Sequence, residues 1–489
     1  MNNTVVGASI LNIITESLYD KPIVVFREYV QNSADSLFAI TEDCECLCSH
    51  IWFDENRLCF LDNGTGIESA QFLKKMESIA FSTKEKTQNI GYKGIGRLSG
   101  ISYCQNLRFI NILDFAAKRF QEYVIDCEKY NLLQKSANYN DMTFADLMKE
   151  IGNLNNDPDV ENIISLIDEK DKCFENRNTG FMVVLENVNI VLRNVVNNTN
   201  FIEELSWLLP VPFKGDLLDE GVESSSLFNQ LSSESAFDGV DSIPAKAYHI
   251  YFNDKQLFRP ISPSMLRTYV CKTNFDKYAI CVLSFSNEGV ELDKKNAFSG
   301  VRMYIDNMLL CDENELIPML QQYAFTTHGL YELIQTVRGV GALIYIVDKV
   351  NISANARRTF FETTDTDSLN LLEIISQWVN NIYIARYALS HYKNALKKEE
   401  SVENSISDFR EKALKSLEVL ASDEIQVSVK DQQKTSDFND LSLTEQKRIV
   451  KAKITKKLND SIKNFLSFSD GFNLETCVDD FKTWYIAND

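Results

Sequence analysis

Positive charge is scarce in this sequence. Against 70 Asp and Glu stand 50 Lys and Arg, a formal net charge of -20. A large nucleic-acid surface needs cations to neutralise phosphates, so this balance disfavours one, although a local basic stretch can act against an acidic background. Long apolar runs are missing as well. No stretch of about 18 apolar residues occurs, so no helical membrane span is expected. The opening residues, MNNTVVGASILNIITESLYD, lack a basic start followed by an apolar core and a small-residue cleavage site. No targeting signal is therefore expected, and the cytoplasm is the default location. A disulfide framework is absent too: the 11 cysteines are odd in number and scattered, the pattern of reduced thiols. GxxxxGK[ST], the phosphate-binding loop of many nucleoside triphosphatases, does not occur.

What is present is ordinary globular material. The chain has 489 residues, 44% apolar and 25% charged, enough for more than one core and for roughly three domains. Val5, Ile10, Ile13, Ile14 and Leu18 recur at helical spacing. Asp20 is placed to cap, and Pro22 to open, a second helix through FREYVQNSADSLFAI. LCSHIWF and RLCFLD flank Asp54-Glu55-Asn56 and read as a β-hairpin. A turn at DNGTGI leads to a helix at about 69–80. Strands follow at NLRFINILDF, RFQEYVIDCEKY and FMVVLENV, with helix expected over 143–170. Residues 214–245 are Ser- and acid-rich with scattered Gly and read as a linker or long loop. A second α/β segment spans 246–395, with strands at AYHIYF, YAICVLSF, VRMYID and GALIYIV. From 396 to 489 the chain reads as charged helix.

One cluster of thiols stands out. Cys44, Cys46, Cys48 and His50 are spaced by two, which puts all four on one face of a strand. Zinc sites more often converge their ligands through a CxxC-like turn, so ordinary, partly buried thiols are the expectation here.

Three further segments belong together. Glu28, Asn32 and Asp35 in EYVQNSAD share a helical face by their spacings of four and three. Alone, that is a polar, solvated face. Asp62-Asn63-Gly64-Thr65-Gly66-Ile67 follows directly on an apolar strand. Its glycines permit a sharp turn and close approach to a ligand, and a carboxylate there can accept from an exocyclic amine such as that of adenine. Gly91-Tyr92-Lys93-Gly94-Ile95-Gly96 feeds a helix start at RLSG, where backbone N–H groups make an anion site.

In this order the segments resemble the GHKL ATPases, the superfamily of gyrase-type, heat-shock-chaperone, histidine-kinase and MutL-type enzymes. The resemblance implies a Bergerat-type α/β sandwich, an α+β ATP-binding domain over residues 1–213. It implies that Glu28 is the general base for water and that Asn32 holds a magnesium ion bridging the phosphates of ATP. Asp62 would bind the adenine amine, Gly64 and Gly66 would shape the purine pocket, and Gly91, Gly94 and Gly96 would line the phosphates. Asp35, on the same helical face, is grouped with the nucleotide-binding residues. A cation, donors aimed at phosphate oxygens and an oriented water are what phosphoryl transfer requires.

Within the superfamily the wording is most similar to the ninety-kilodalton heat-shock chaperones. EYVQNSADSL resembles their N-box, and Ile79-Ala80-Phe81-Ser82-Thr83-Lys84 resembles the start of their mobile lid, with Lys84 set to reach the phosphates on closure. VRMYIDNMLLCDENELIPMLQ, from Val301, and GALIYIVDKVNISANARRTFF resemble their middle domain, which assigns 246–395 to that role. By the residue match Arg357 is the arginine that stabilises charge on the transferring phosphate, with Arg358 as the fallback. The resemblance covers about residues 1–390 and departs at Phe181, which stands where a threonine would help hold adenine; Thr179 is the available substitute. Nothing in 396–489 resembles the chaperone dimerisation domain. A protein client or effector partner is implied, a homodimer is admitted, and no membrane partner is expected. The competing reading is a DNA-handling ATPase of MutL, topoisomerase or MORC type, supported by the basic segment 447–463. A histidine kinase is disfavoured, since His50, His249, His328 and His391 all follow the N-box. A nucleotide-binding scaffold without turnover is opposed by the intact Glu28 and Asn32.

Overall fold

The computed structural model describes residues 6–13, 21–40, 47–54, 56–79, 95–167, 170, 173–175, 177–212, 248–260, 266–271, 280–285, 300–305, 307–312, 314–316, 318 and 341–346. The linker read at 214–245 and the region 396–489 lie outside these residues.

The N-terminal unit is built on an eight-stranded sheet. Its strands are β1 (Cys48–Phe53), β2 (Arg57–Asp62), β3 (Asn106–Asp114), β4 (Arg119–Asp126), β5 (Gly152–Asn155), β6 (Gly180–Glu186), β7 (His249–Phe252) and β8 (Lys255–Gln256). Their order is β5-β4-β3-β6-β2-β1-β7-β8. Among the described residues every pairing in this sheet is antiparallel except β1 with β7, which run parallel from Cys48↔His249 to Ile51↔Phe252. Strand AYHIYF, read from sequence as the start of the second segment, thus completes the first sheet by covering the edge of β1. Its hairpin to β8 turns on Asn253 and Asp254, both at positive φ (44° and 64°), the backbone that a two-residue hairpin of this hand demands.

The sheet is covered on both faces, and the alternation of side chains explains its composition. Leu58 and Phe60 of β2 point into one core, while Cys59 and Leu61 point into another. The same split sends Val183 and Leu185 of β6 one way and Met182 and Val184 the other. A strand buried on both sides reads as a continuous apolar run, as RLCFLD does. The larger core receives α2 (Val24–Phe38), α3 (Ser69–Glu77), α4 (Cys127–Gln134), α5 (Phe144–Ile151) and α8 (Phe201–Leu208). The smaller core is closed by α6 (Val160–Ile167) together with Cys173 and Phe174. Two further short helices of this region are α1 (Ile10–Ile13) and α7 (Ile190–Val196).

Two local expectations change. CEKY leaves β4 and begins α4, because Asp126 accepts from the Lys129 N–H at 2.8 Å and caps a helix there. Residues 143–170 hold two helices with β5 between them. Thr143 and Asp146 form a reciprocal capping box at the start of α5, and the chain becomes extended at Gly152. Asp20, read as the cap of the second helix, lies outside the described residues; α2 begins after a turn at Lys21–Ile23 without a side-chain cap.

A second sheet has five strands in the order β12-β11-β13-β10-β9. Its strands are β9 (Leu266–Cys271), β10 (Ile280–Phe285), β11 (Gly300–Ile305), β12 (Met308–Cys311) and β13 (Gly341–Ile346). β10 is antiparallel to both β9 and β13. The strands read at YAICVLSF, VRMYID and GALIYIV are therefore present.

Candidate functional site

Helix α2 is the spine of the site. Twelve of its 15 residues are buried, including Arg27, Glu28, Gln31, Ser33 and Asp35. A helix buried nearly all round is expected to be apolar all round. Val24, Val25, Phe26, Val30, Ala34 and Leu37 meet that expectation, and the buried carboxylates do not. Ionisable groups are placed inside only when something there compensates them, so these are the residues to examine for chemistry.

One end of α2 holds the turn after β2. Asp62 is 4% exposed at the strand terminus. Its Oδ2 accepts from Ser33 Oγ at 2.9 Å and its Oδ1 from the Gly64 N–H at 2.9 Å. Ser36 continues the contact one turn along: its Oγ accepts from the Thr65 N–H at 2.9 Å. Gly66 has φ +64°, and a Cβ there would stand 3.0 Å from the Gly180 carbonyl oxygen. Both the backbone sign and the space require glycine. The far side of the turn is held by Asn111, fully buried in mid-β3, which accepts from the Ile67 N–H at 2.9 Å and donates to the Ile67 carbonyl at 2.7 Å.

Segment 177–181 supports the same turn from below. Arg177 Nε donates to the Asn63 carbonyl at 3.0 Å, and Thr179 Oγ1 donates to the Gly64 carbonyl at 2.9 Å. Phe181 is paired with Asp62 across β2 and β6, and its ring packs 6.4 Å from those of Phe72 and Phe109. The hydroxyl that meets the glycine turn is thus Thr179, while Phe181 serves the core.

The other end of α2 meets the 3-10 turn Gly96–Gly100. A Cβ added at Gly96 would fall inside van der Waals contact of Glu28 Oε2. With Glu28 where it stands, a side chain at 96 would force that carboxylate to move. Glu28 is buried, with Arg27 Nε 3.7 Å from its Oε1. Tyr29 fastens the turn: its hydroxyl donates to the Arg97 carbonyl at 3.0 Å and accepts from the Gly100 N–H at 3.1 Å. Burial holds the Tyr29 phenol well above its ordinary pKa, so it stays a neutral donor. Asn32 is half-buried on the helix between the two ends, and Gln31 Oε1 is buried with no hydrogen-bond partner among the described residues.

Asp35 is buried, and the Tyr248 hydroxyl lies within the field of both Asp35 and Asp62. Burial first, and then those charges, raise the Tyr248 phenol far above its usual range, while Ser49 opposes the shift. Tyr248 donates to the Val30 carbonyl at 3.2 Å, so the residue preceding β7 packs on α2. Lys84, Gly91, Gly94, Arg357 and Arg358 lie outside the described residues.

The structure therefore brings Glu28, Asn32, Asp35, Asp62, Gly64, Gly66 and Gly96 around one helix. Ser33, Ser36, Asn111, Arg177 and Tyr248 were missed by the sequence reading. Asn111 carried a usable signal, an amide in the middle of the apolar run FINILDF. The serines carried none, since a hydroxyl on a helix is usually solvated.

Beneath the turn, on the opposite face of the sheet, Cys48, His50 and Cys173 converge, with their ligand atoms all within 4.8 Å of one another. The Cys173 thiol is drawn down to a pKa of about 5, chiefly by a hydrogen bond from Cys48, with His50 adding to the effect against burial. Cys44 and Cys46 lie outside the described residues.

Among the described residues, no helix is long and apolar enough to cross a membrane. No curated protein matches the chain. Residues 21–143 match the family described as Histidine kinase-, DNA gyrase B-, and HSP90-like ATPase. The matched segment contains α2, the Asp62 turn and Gly96, and the large, mostly antiparallel sheet with helices on it fits that family's ATPase domain. Sequence match and fold together support membership of this N-terminal region in the GHKL-type ATPase superfamily, and with it a nucleotide-binding role.

Proposed function

We propose that the chain is a magnesium-dependent ATPase that works as a conformational machine, resembling the heat-shock chaperones and acting on a protein client or effector partner. The observation that carries this reading is the double engagement of α2: Ser33 and Ser36 hold the Asp62 turn, while Glu28 and Tyr29 hold the Gly96 turn. One rigid helix thereby fixes the spacing between a purine-binding carboxylate and a backbone suited to phosphate.

The residues fit the nucleotide. Asp62 offers a buried carboxylate at the strand end, the acceptor an adenine amine needs. The glycine at 96 leaves room that any side chain would fill. Asn32 offers a neutral, hard oxygen suited to Mg2+, which when bound neutralises charge on the phosphates. In hydrolysis a water oxygen attacks the γ-phosphorus, the bond to the β–γ bridging oxygen breaks, and ADP and inorganic phosphate leave. Glu28 takes the water proton. Arg357 stabilises charge on the transferring phosphate, and Lys84 joins the phosphates on lid closure. ATP binding closes the lid and docks the domain carrying Arg357; hydrolysis reopens it. A homodimer is compatible with such a cycle.

The test is Mg2+-dependent ATP hydrolysis by the full chain beside Arg357→Ala, with ATP binding followed in parallel. Turnover by the wild type, with slower turnover but retained binding in the variant, supports the composite site. Binding without turnover in either protein would replace the machine by a nucleotide-gated scaffold. The basic segment 447–463 favours a DNA-handling ATPase as the second reading; DNA binding that falls steeply with salt separates it from the first.

A further inference from the structure

We propose that Cys48, His50 and Cys173 form a zinc site on the face of the sheet opposite α2. Cys48 and His50 are two residues apart on β1, so both point to that face. Cys173 reaches them from the segment between α6 and β6. Zn2+ bonds thiolate sulfur at about 2.3 Å and imidazole nitrogen at about 2.0 Å in tetrahedral geometry, so ligands on one ion stand roughly 3.3–3.8 Å apart. Ligand atoms already gathered within 4.8 Å need to close by at most about 1–1.5 Å to reach that spacing.

The surroundings prepare the site independently of the ligand atoms. Asn63, fully buried, clamps the two cysteine backbones together: its Oδ1 accepts from the Cys48 N–H at 3.0 Å, and its Nδ2 donates to the Cys173 carbonyl at 2.9 Å. The His50 ring lies flat on Tyr251, centroids 4.6 Å apart and 11° from parallel, which fixes the imidazole plane. His50 Nδ1 is buried and has no hydrogen-bond partner among the described residues. Such support of ligand orientation by neighbouring groups is a regular feature of metal sites.

Charge and softness select the ion. Two thiolates and a neutral imidazole carry a charge of minus two, which a divalent cation cancels, so the loaded site is neutral where it is buried. Thiolate with imidazole suits Zn2+ and not Mg2+ or Ca2+. Three protein ligands leave a fourth position open. The ion would tie segment 173–179, which carries Arg177 and Thr179, to β1, closing the smaller core with a bond instead of apolar area alone. Metal binding of this kind adds directly to folding stability.

The experiment uses the full chain, purified under reducing conditions, stripped with chelator and titrated with Zn2+ or Co2+ alone, without nucleotide. Its outcome is therefore independent of the ATPase reading. The proposal expects one equivalent of zinc per chain, a tetrahedral cobalt spectrum with thiolate-to-metal absorption, and a rise in unfolding midpoint on loading. Cys48→Ser, Cys173→Ser and His50→Gln should each lose that uptake, while Cys104→Ser, altered in the other core, should keep it. Should the variants fail to fold, the cobalt spectrum of the wild type decides alone. A spectrum without sulfur ligation, the absence of uptake, or a Cys48–Cys173 disulfide in the non-reduced protein would each overturn the proposal.

Discussion

The two ends of α2 are built on different principles. Around Asp62 the contacts are side-chain hydrogen bonds: Ser33, Ser36, Thr179 and Arg177 each hold one backbone or carboxylate atom of the turn, and Asn111 holds two. Around Glu28 the contact is steric, a glycine backbone resting on a carboxylate, with Tyr29 as the fastener. The first end is preformed by many partners and is suited to recognise a rigid base. The second end packs a backbone turn directly on a carboxylate and is suited to a segment that must adjust as phosphates arrive and leave. The comparison teaches that affinity and turnover should separate along one helix.

Replacing Glu28 by Ala tests the division most strongly. Loss of a general base costs about 10²–10⁴-fold in rate. The expected result is a fall of that size in kcat with the Kd for ATP nearly unchanged, read by single-turnover kinetics and equilibrium binding. Asp62→Ala should do the reverse. A hydrogen bond to a charged group is worth about 1.5–3 kcal/mol, so ATP should bind roughly 10- to 100-fold more weakly, measured calorimetrically. If Asp62→Ala instead lowered kcat at saturating ATP and left Kd intact, the two ends would not divide the labour.

Tyr29→Phe sharpens the comparison at the fastener. It removes one donor and one acceptor and leaves the buried Gly100 N–H unsatisfied, at a cost of about 1–3 kcal/mol. The midpoint of thermal unfolding should drop by about 2–4 °C for each kcal/mol, and turnover should suffer more than affinity. The smallest effect is expected at Thr179→Val, which removes a single bond to the Gly64 carbonyl. At about 0.5–1.5 kcal/mol, the change in Kd should stay within roughly tenfold. A larger loss would give Thr179 a direct hold on the base.

Much of this architecture was legible in the chain. The β1–β2 hairpin follows from two apolar runs around Asp54, because a strand buried on both faces reads as a continuous apolar run, and α2 from Pro22 just ahead of it. Glu28, Asp62 and Gly96 were found by motif, and the fold brings them together. Contacts made by short polar side chains were not legible: Ser33 reaches Asp62 only because β2 ends beside α2, a fact of tertiary packing. Cys173 was silent for the same reason, standing 125 positions after Cys48 in the chain. The helix expected over 143–170 failed where a signal existed, since Gly152 and Pro158 both interrupt it.

The parallel pairing of β1 with β7 has a consequence for synthesis. Ser49 and Tyr248, hydrogen-bonded in the finished protein, are 199 positions apart. At about 5–20 residues per second, a ribosome needs roughly 10–40 s to make the strand that covers the edge of β1 after β1 itself has emerged. During that interval a row of unpaired N–H and C=O groups faces solvent, the template on which strands of other chains add. An excised N-terminal fragment should therefore run through residue 260; one that stops at 213 keeps the nascent chain's open edge permanently.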